Sequence, residues 1–187
     1  MFGFNKKKPL IEGPIEFEAE VEIDKAAGAV FPLIDVASPD FAHLQRGASV
    51  QTVEGKAQHY CLTIEGMDDV AFLYHVLERV EGERHTAECV IEPRINDLIK
   101  AVESYEVEAL SAESCKVRLT TVATFDESLS DEEVAGEIAM MSAAVHDDLF
   151  KLKVHAEEGA DAVAALDNDG LCDIEIGDID IEIEDWN

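Results

Sequence analysis

Residues 130–159 read SDEEVAGEIAMMSAAVHDDLFKLKVHAEEG, and this stretch decides how the rest of the chain must fold. Ser130-Asp131-Glu132-Glu133 is a capping box, in which a serine hydroxyl and a glutamate three residues on satisfy free N–H groups at a helix start. Behind it Val134, Ile138, Met141, Val145, Leu149, Leu152 and Ala156 recur at helical spacing. Gly159 is suited to end the run. The pattern predicts one helix over residues 131–158, a rod of roughly 40 Å at about 1.5 Å per residue. So long an apolar stripe needs a broad apolar face to lie on.

That face is written upstream. Seven alternating, strand-like segments fill residues 15–126. In EFEAEVEI, residues 16–23, Phe17, Ala19, Val21 and Ile23 share one face and glutamates the other, as in a half-buried strand. A helical stretch over residues 24–45 interrupts the run: Asp24 is placed to cap a first short helix holding Ala26, Val30, Phe31 and Leu33. Ser38-Pro39-Asp40 then starts a second short helix or turn with Phe41 and Leu44. Further on, Gly66-Met67-Asp68 and Glu81-Gly82 read as turns between strands 57–65, 69–80 and 83–92. Pairing Ile64 with Val70 and Val80 with Glu83 collects Tyr60, Leu62, Ile64, Val70, Phe72, Tyr74, Val76, Ala87, Cys89 and Ile91 on one face. A one-residue slip would scatter that face, so the pattern supports the register. The sixth strand adds Ile99, Ala101, Glu103, Tyr105 and Val107; the seventh adds Cys115, Val117, Leu119, Thr121, Ala123 and Phe125.

The chain has 187 residues, enough for one domain with its own core, and an ordinary apolar fraction of 47%. Its charge is extreme: 42 acidic residues against 14 basic ones, a net −28. Such a field repels nucleic acid and anionic membrane surfaces, so no nucleic-acid partner is expected. Cys61, Cys89, Cys115 and Cys172 form no C-x-x-C pair, and free buried thiols are expected for the three within strands. Met1–Gly13 lacks the apolar stretch of a secretory signal, and no run reaches the roughly 18 apolar residues of a membrane span. A cytoplasmic protein with no stable membrane insertion is the expectation. The organisation reads as a flexible segment 1–14, a domain 15–160 and an acidic tail 161–187. In that tail Asp173 to Glu184 alternate acid with Ile174, Ile176, Ile179, Ile181 and Ile183. Five isoleucines in one alternating run suit a strand added to a sheet edge, for self-association or a protein partner, as well as they suit disorder.

The opening EFEAEVEIDKAAGAVFPLI and the closing long helix, with strands between, resemble the START/Bet v 1-like (SRPBCC) superfamily over about residues 15–160. The likeness is greatest to its polyketide cyclase/dehydrase and lipid-transport branch. The resemblance implies an α+β helix-grip fold: a seven-stranded curved antiparallel sheet wrapped around a long C-terminal helix, with two short helices after strand 1. It also implies a largely apolar cavity between sheet and helix. Members bind lipids, sterols, quinones or polyketides, and a minority are enzymes. Many carry a tryptophan in the loop after the first helices; here Phe41 stands nearest, and the sole tryptophan, Trp186, lies in the tail.

Within that frame the candidate ligand-binding residues are Tyr60, Phe72, Tyr74, Glu103, Tyr105, Thr121, Met141 and Val145. The phenols offer hydrogen bonds from an apolar wall, and Met141 an adaptable surface. Plain core packing explains any one of them equally well. Glu103 is the one candidate acid/base: an inward carboxylate in apolar surroundings should have a raised pKa. A sheet-end glutamate reaching water is the simpler alternative. His59, His75 and Glu88 fall side by side across three strands, but on the face opposite the apolar one, so no metal is assigned. His43, His146 and His155 gain no catalytic role; His155, near the helix end, suits the helix dipole. No P-loop, dinucleotide fingerprint, nucleophile elbow or zinc-protease motif is present, and no cofactor is expected. The leading expectation is non-catalytic binding or transport of a hydrophobic small molecule. The alternatives are a cyclase/dehydrase-type enzyme using Glu103 and an interaction module acting through the tail.

Overall fold

A computed structural model describes residues 13–67, 69–95 and 97–168. Residues 173–184, with their edge-pairing expectation, and Cys172 lie outside the described residues. The chain order is β1 (Ile15–Ile23), α1 (Ala27–Ile34), a 3₁₀ turn (Leu44–Arg46), β2 (Ala48–Thr52), β3 (His59–Ile64), β4 (Ala71–Val80), β5 (Arg84–Glu92), β6 (Leu98–Ala109), β7 (Cys115–Phe125), α2 (Asp131–Glu158) and α3 (Ala160–Asn168). All seven strands form one antiparallel sheet in the order β1-β7-β6-β5-β4-β3-β2. This is the α+β helix-grip architecture expected above.

Alternation in sequence becomes alternation in burial most cleanly along β7. There Cys115, Val117, Leu119, Thr121, Ala123 and Phe125 are buried, and the residues between them are half-exposed. Helix α2 starts as read: Ser130 Oγ accepts from the Glu133 N–H at 3.4 Å and the Glu133 carboxylate accepts from the Ser130 N–H at 2.8 Å. Its far end is tied to the end of β1. Lys153 Nζ donates to the Glu22 carbonyl and to Glu157, and Glu157 accepts the Asp24 N–H, each at 2.7 Å. Gly159 closes the helix with a positive φ of 96°.

The structure corrects three local expectations. Asp24 does not cap α1; Ala26 precedes the helix without a side-chain cap, and Asp24 serves α2 instead. Val80 pairs with Arg84 rather than Glu83, because the turn through Gly82 (φ 74°) holds three residues. A bulge between Val76 and Glu78 then absorbs the extra residue, so the expected pairs Val76–Ala87, Tyr74–Cys89 and Phe72–Ile91 all form. A second irregularity, between Leu98 and Lys100, turns Ile99 outward at 41% exposure and sets Leu98 inward in its place. Bulges bend the strand that carries them, and both help curl the sheet around α2. Helix α3, which the periodicity did not reveal, packs on α2 and the 3₁₀ turn and buries Val163 completely.

Candidate functional site

Between the concave sheet and α2 lies a cavity of about 280 Å³. It exists because the middle of the sheet turns small side chains inward. Ala87 and Cys89 of β5, Ala101 of β6 and Thr121 of β7 cannot reach α2, and α2 presents Ala144 there. Larger residues close the sides: Phe72 and Tyr74 of β4, Tyr105 of β6, Met141 and Val145 of α2, and Phe41 after α1. Seven of the eight sequence candidates therefore line one space: Phe72, Tyr74, Glu103, Tyr105, Thr121, Met141 and Val145. Tyr60 does not line it. On β3 it pairs with Tyr74 and packs with a second cluster around Val36, Phe41, Leu62 and Val76, one strand beyond the cavity.

The floor is polar at one place. Glu103 stands on β6 between Ala87 and Thr121 of the neighbouring strands, two residues from Tyr105 on the same face. It lies deep in the protein and faces the cavity. Its carboxyl group makes no hydrogen bond or ion pair among the described residues. Loss of water, and then the negative charge of Asp148 across the cavity, push it up to about 7. Asp148 sits on α2, one turn past Val145, and opens onto cavity space; desolvation and neighbouring Asp147 push it up to about 6, against the pull of Lys151 and Arg46. Burial first and Glu103 second raise the Tyr105 phenol, and the same two causes lead for Tyr74. Cys89, hydrogen-bonded to Tyr74, is driven up to about 12 by burial, so it stays a thiol. Thr121 Oγ1 is buried without a hydrogen-bond partner. Glu103 and Thr121 thus face the cavity with unmet hydrogen-bonding capacity.

The opposite end of the cavity, where the segment after α1 meets α2, gathers His43, Arg46, Lys151 and His155. Lys151 pairs with Asp147 at 2.8 Å. Burial, then the charge of Arg46, hold His43 down to about 4 and also lower His155, whose Nε2 meets Gln45 Oε1 at 3.3 Å. The dipole expected to favour a charged His155 is thus outweighed by desolvation. His146 stays outside, bonded to the Ser142 carbonyl. A further buried group, His85 of β5, lines the cavity beside Asp35, which Arg79 Nε holds at 2.7 Å. Burial lowers His85, and Asp35 partly restores it.

His59 and His75 do stack, with ring centroids 4.1 Å apart, and Glu88 pairs with His75 across the sheet. Glu88 is engaged by Lys100 at 2.7 Å, and no metal-ligand cluster occurs among the described residues. Among those residues, too, no helix is long and apolar enough to cross a membrane.

Sequence reasoning passed over Asp148, His85 and Arg46; it set Cys89 on the inner face without listing it as a candidate, and gave His43 no role. Two of these left a signal. Asp148 falls on the apolar stripe of α2, at the spacing of Met141 and Val145, and His85 continues the inward series of Ala87, Cys89 and Ile91.

No protein-family model matches the sequence. No curated protein matches it significantly either. Solved structures do match in shape. Ara h 8.0201 aligns with a TM-score of 0.57 at 15% identity, over 82% of this chain and 99% of its own. The di-domain ARO/CYC BexL of the BE-7585A biosynthetic pathway aligns with 0.55 at 19% identity, over 82% of this chain and 48% of its own. DynU16, a protein of the dynemicin biosynthetic locus, aligns with 0.55 at 13% identity, over 77% of this chain and 48% of its own. The chain thus spans about half the length of the latter two. The fold is that of the START/Bet v 1-like (SRPBCC) superfamily.

Proposed function

We propose that this domain binds a hydrophobic small molecule, of the lipid, quinone or polyketide class, in the cavity between sheet and long helix. The observation that carries the reading is the cavity itself. A sheet whose β1–β7 side packs α2 tightly leaves about 280 Å³ open over its middle, close to the lower end of the range for small-molecule pockets, about 300–1,000 Å³. Its walls are mainly aliphatic and aromatic, with a few polar groups to orient a ligand. Binding is driven by the apolar area removed from water, at roughly 25 cal/mol per Å² before the costs of association. The likeness to an aromatase/cyclase-type protein and to Ara h 8.0201 supports the fold-level part of this reading. Native mass spectrometry of the full chain, purified without detergent, tests it. A stoichiometric apolar adduct, identified after organic extraction, is expected. A bare chain mass from several expression hosts contradicts it.

One observation favours a second reading, an enzyme of the cyclase/dehydrase type. Glu103, raised to about 7 beside Tyr105, is poised to exchange protons near neutral pH. On that reading Glu103→Gln abolishes turnover of a poly-β-ketone substrate and leaves its binding intact. On the binding reading no turnover exists to lose.

A further inference from the structure

The two carboxyl groups of the cavity point to the chemistry of its ligand. Glu103 is acceptor-only when ionised, sits deep in the protein, and has neither a hydrogen bond nor an ion pair among the described residues. Asp148 lies across the cavity on α2, near enough for its charge to act on Glu103, Tyr74 and Tyr105. A group held between these residues would meet two carboxylates and two phenols. The cations of the site stand on the Asp148 side and away from Glu103: Arg46 and Lys151 act on His43 and Asp148 and not on Glu103, and Lys151 already pairs with Asp147. An acidic head group would settle at that far end and leave Glu103 unmet. An alcohol would supply Glu103 with one donor. An ammonium group supplies three donors and a charge, and aromatic faces add to its attraction. The whole chain, at −28, draws cations toward it and repels anions.

We propose that the ligand is an apolar amine, protonated in solution, whose ammonium group lies between Glu103 and Asp148 while its hydrocarbon body fills the rest of the cavity. This rests on the small-molecule reading above and narrows it. Binding such a cation ionises both carboxyls, so the complex releases protons and tightens as pH rises from 6 to 8. The groups facing the two carboxyls are Tyr74 of β4, Cys89 of β5, Tyr105 of β6 and, beside Asp148, Asp147, Lys151 and Arg46. The phenols and the thiol, all raised, stay neutral in that window.

Isothermal titration of the full chain with octylamine, 1-octanol and octanoate tests the proposal, because the three share one tail and differ in charge. At pH 7.5 octylamine should bind at least tenfold more tightly than octanol, and octanoate weakest. Titration in buffers of different ionisation enthalpy should show proton release with the amine alone. Glu103→Gln, nearly isosteric, should remove the amine's advantage over octanol and abolish most of its proton release; Asp148→Asn should do the same to a smaller degree. Octanol or octanoate binding as tightly as the amine, or an amine preference that survives in both variants, overturns the proposal and leaves the pocket reading standing. Failure of all three to bind overturns both.

Discussion

The outer β1–β7 side of the sheet and its β4–β6 middle share one alternating pattern, one concave face and one covering helix, yet they do opposite things. On the β1–β7 side the inward residues are large and sealed: Ile23, Val117 and Leu119 have no exposed surface, and Phe17, Phe31, Leu149 and Leu152 fill the gaps. In the middle the inward residues over the cavity are Ala87, Cys89, Ala101 and Glu103, with Thr121 of β7 at its edge and Phe72, Tyr74 and Tyr105 at its sides, and α2 answers with Met141, Ala144 and Asp148. The first half has spent its apolar face on stability. The second has left volume open and placed an unmet carboxyl in it. Side-chain size along the inner face, rather than hydrophobicity, separates a core from a pocket.

That contrast can be broken most forcefully on the packed side. Leu119→Ala removes a fully buried side chain from a close-packed region and should cost about 3–4 kcal/mol in urea unfolding. A loss under about 1 kcal/mol would mean that this half is as loose as the middle.

Next in size is the pH dependence that Glu103 imposes. Its carboxyl ionises near its ordinary value in the unfolded chain but only at about 7 in the folded one. Between those values the folded state holds a proton that the unfolded state has lost, so stability falls as pH rises through the window. Asp148, raised for the same leading reason, adds in the same direction. Glu103→Gln should therefore melt higher than the parent chain at pH 8, by about 2 kcal/mol, and nearly level with it at pH 4.5. A variant less stable than the parent at pH 8 would show that the carboxylate supports the fold.

Met141→Ala should cost only about 1 kcal/mol by the same unfolding assay, because the cavity side of that residue has few packing partners to lose. Glu88→Gln, on the outer face, breaks a half-exposed pair with Lys100 and should change stability by less than about 0.5 kcal/mol. A larger effect there would give the His59–His75–Glu88 row a structural importance that its exposure does not suggest.

The sequence made the inner face legible because alternation and a capping box are strong signals. The concave residues of β3, β4, β5 and β7 follow from them, as do both ends of α2. The bulges at Leu77 and Ile99 were not legible, since an inserted residue leaves the local composition unchanged. Seven of eight candidates reached the cavity because inward residues of neighbouring strands must converge under one helix. Tyr60 did not, because the sheet extends past the helix on that side. Asp148 was harder to see: a lone acid on an apolar stripe looks like a helix surface until the opposing strands are known to carry small residues. His85 and Asp35 depend on a contact between α1's end and β4–β5, which no local pattern encodes.

The central claim, that the middle of the sheet is a binding cavity rather than unfinished core, is tested most directly by filling it. Ala101→Leu places a larger side chain into the space beside Glu103, and its effect is read by titration with Nile red, a neutral apolar dye. The account predicts saturable one-to-one dye binding by the parent chain and at least a tenfold loss in the variant, with stability changed by no more than about 1 kcal/mol. Equal dye binding by both chains would contradict it, as would a variant destabilised as severely as an overpacked core.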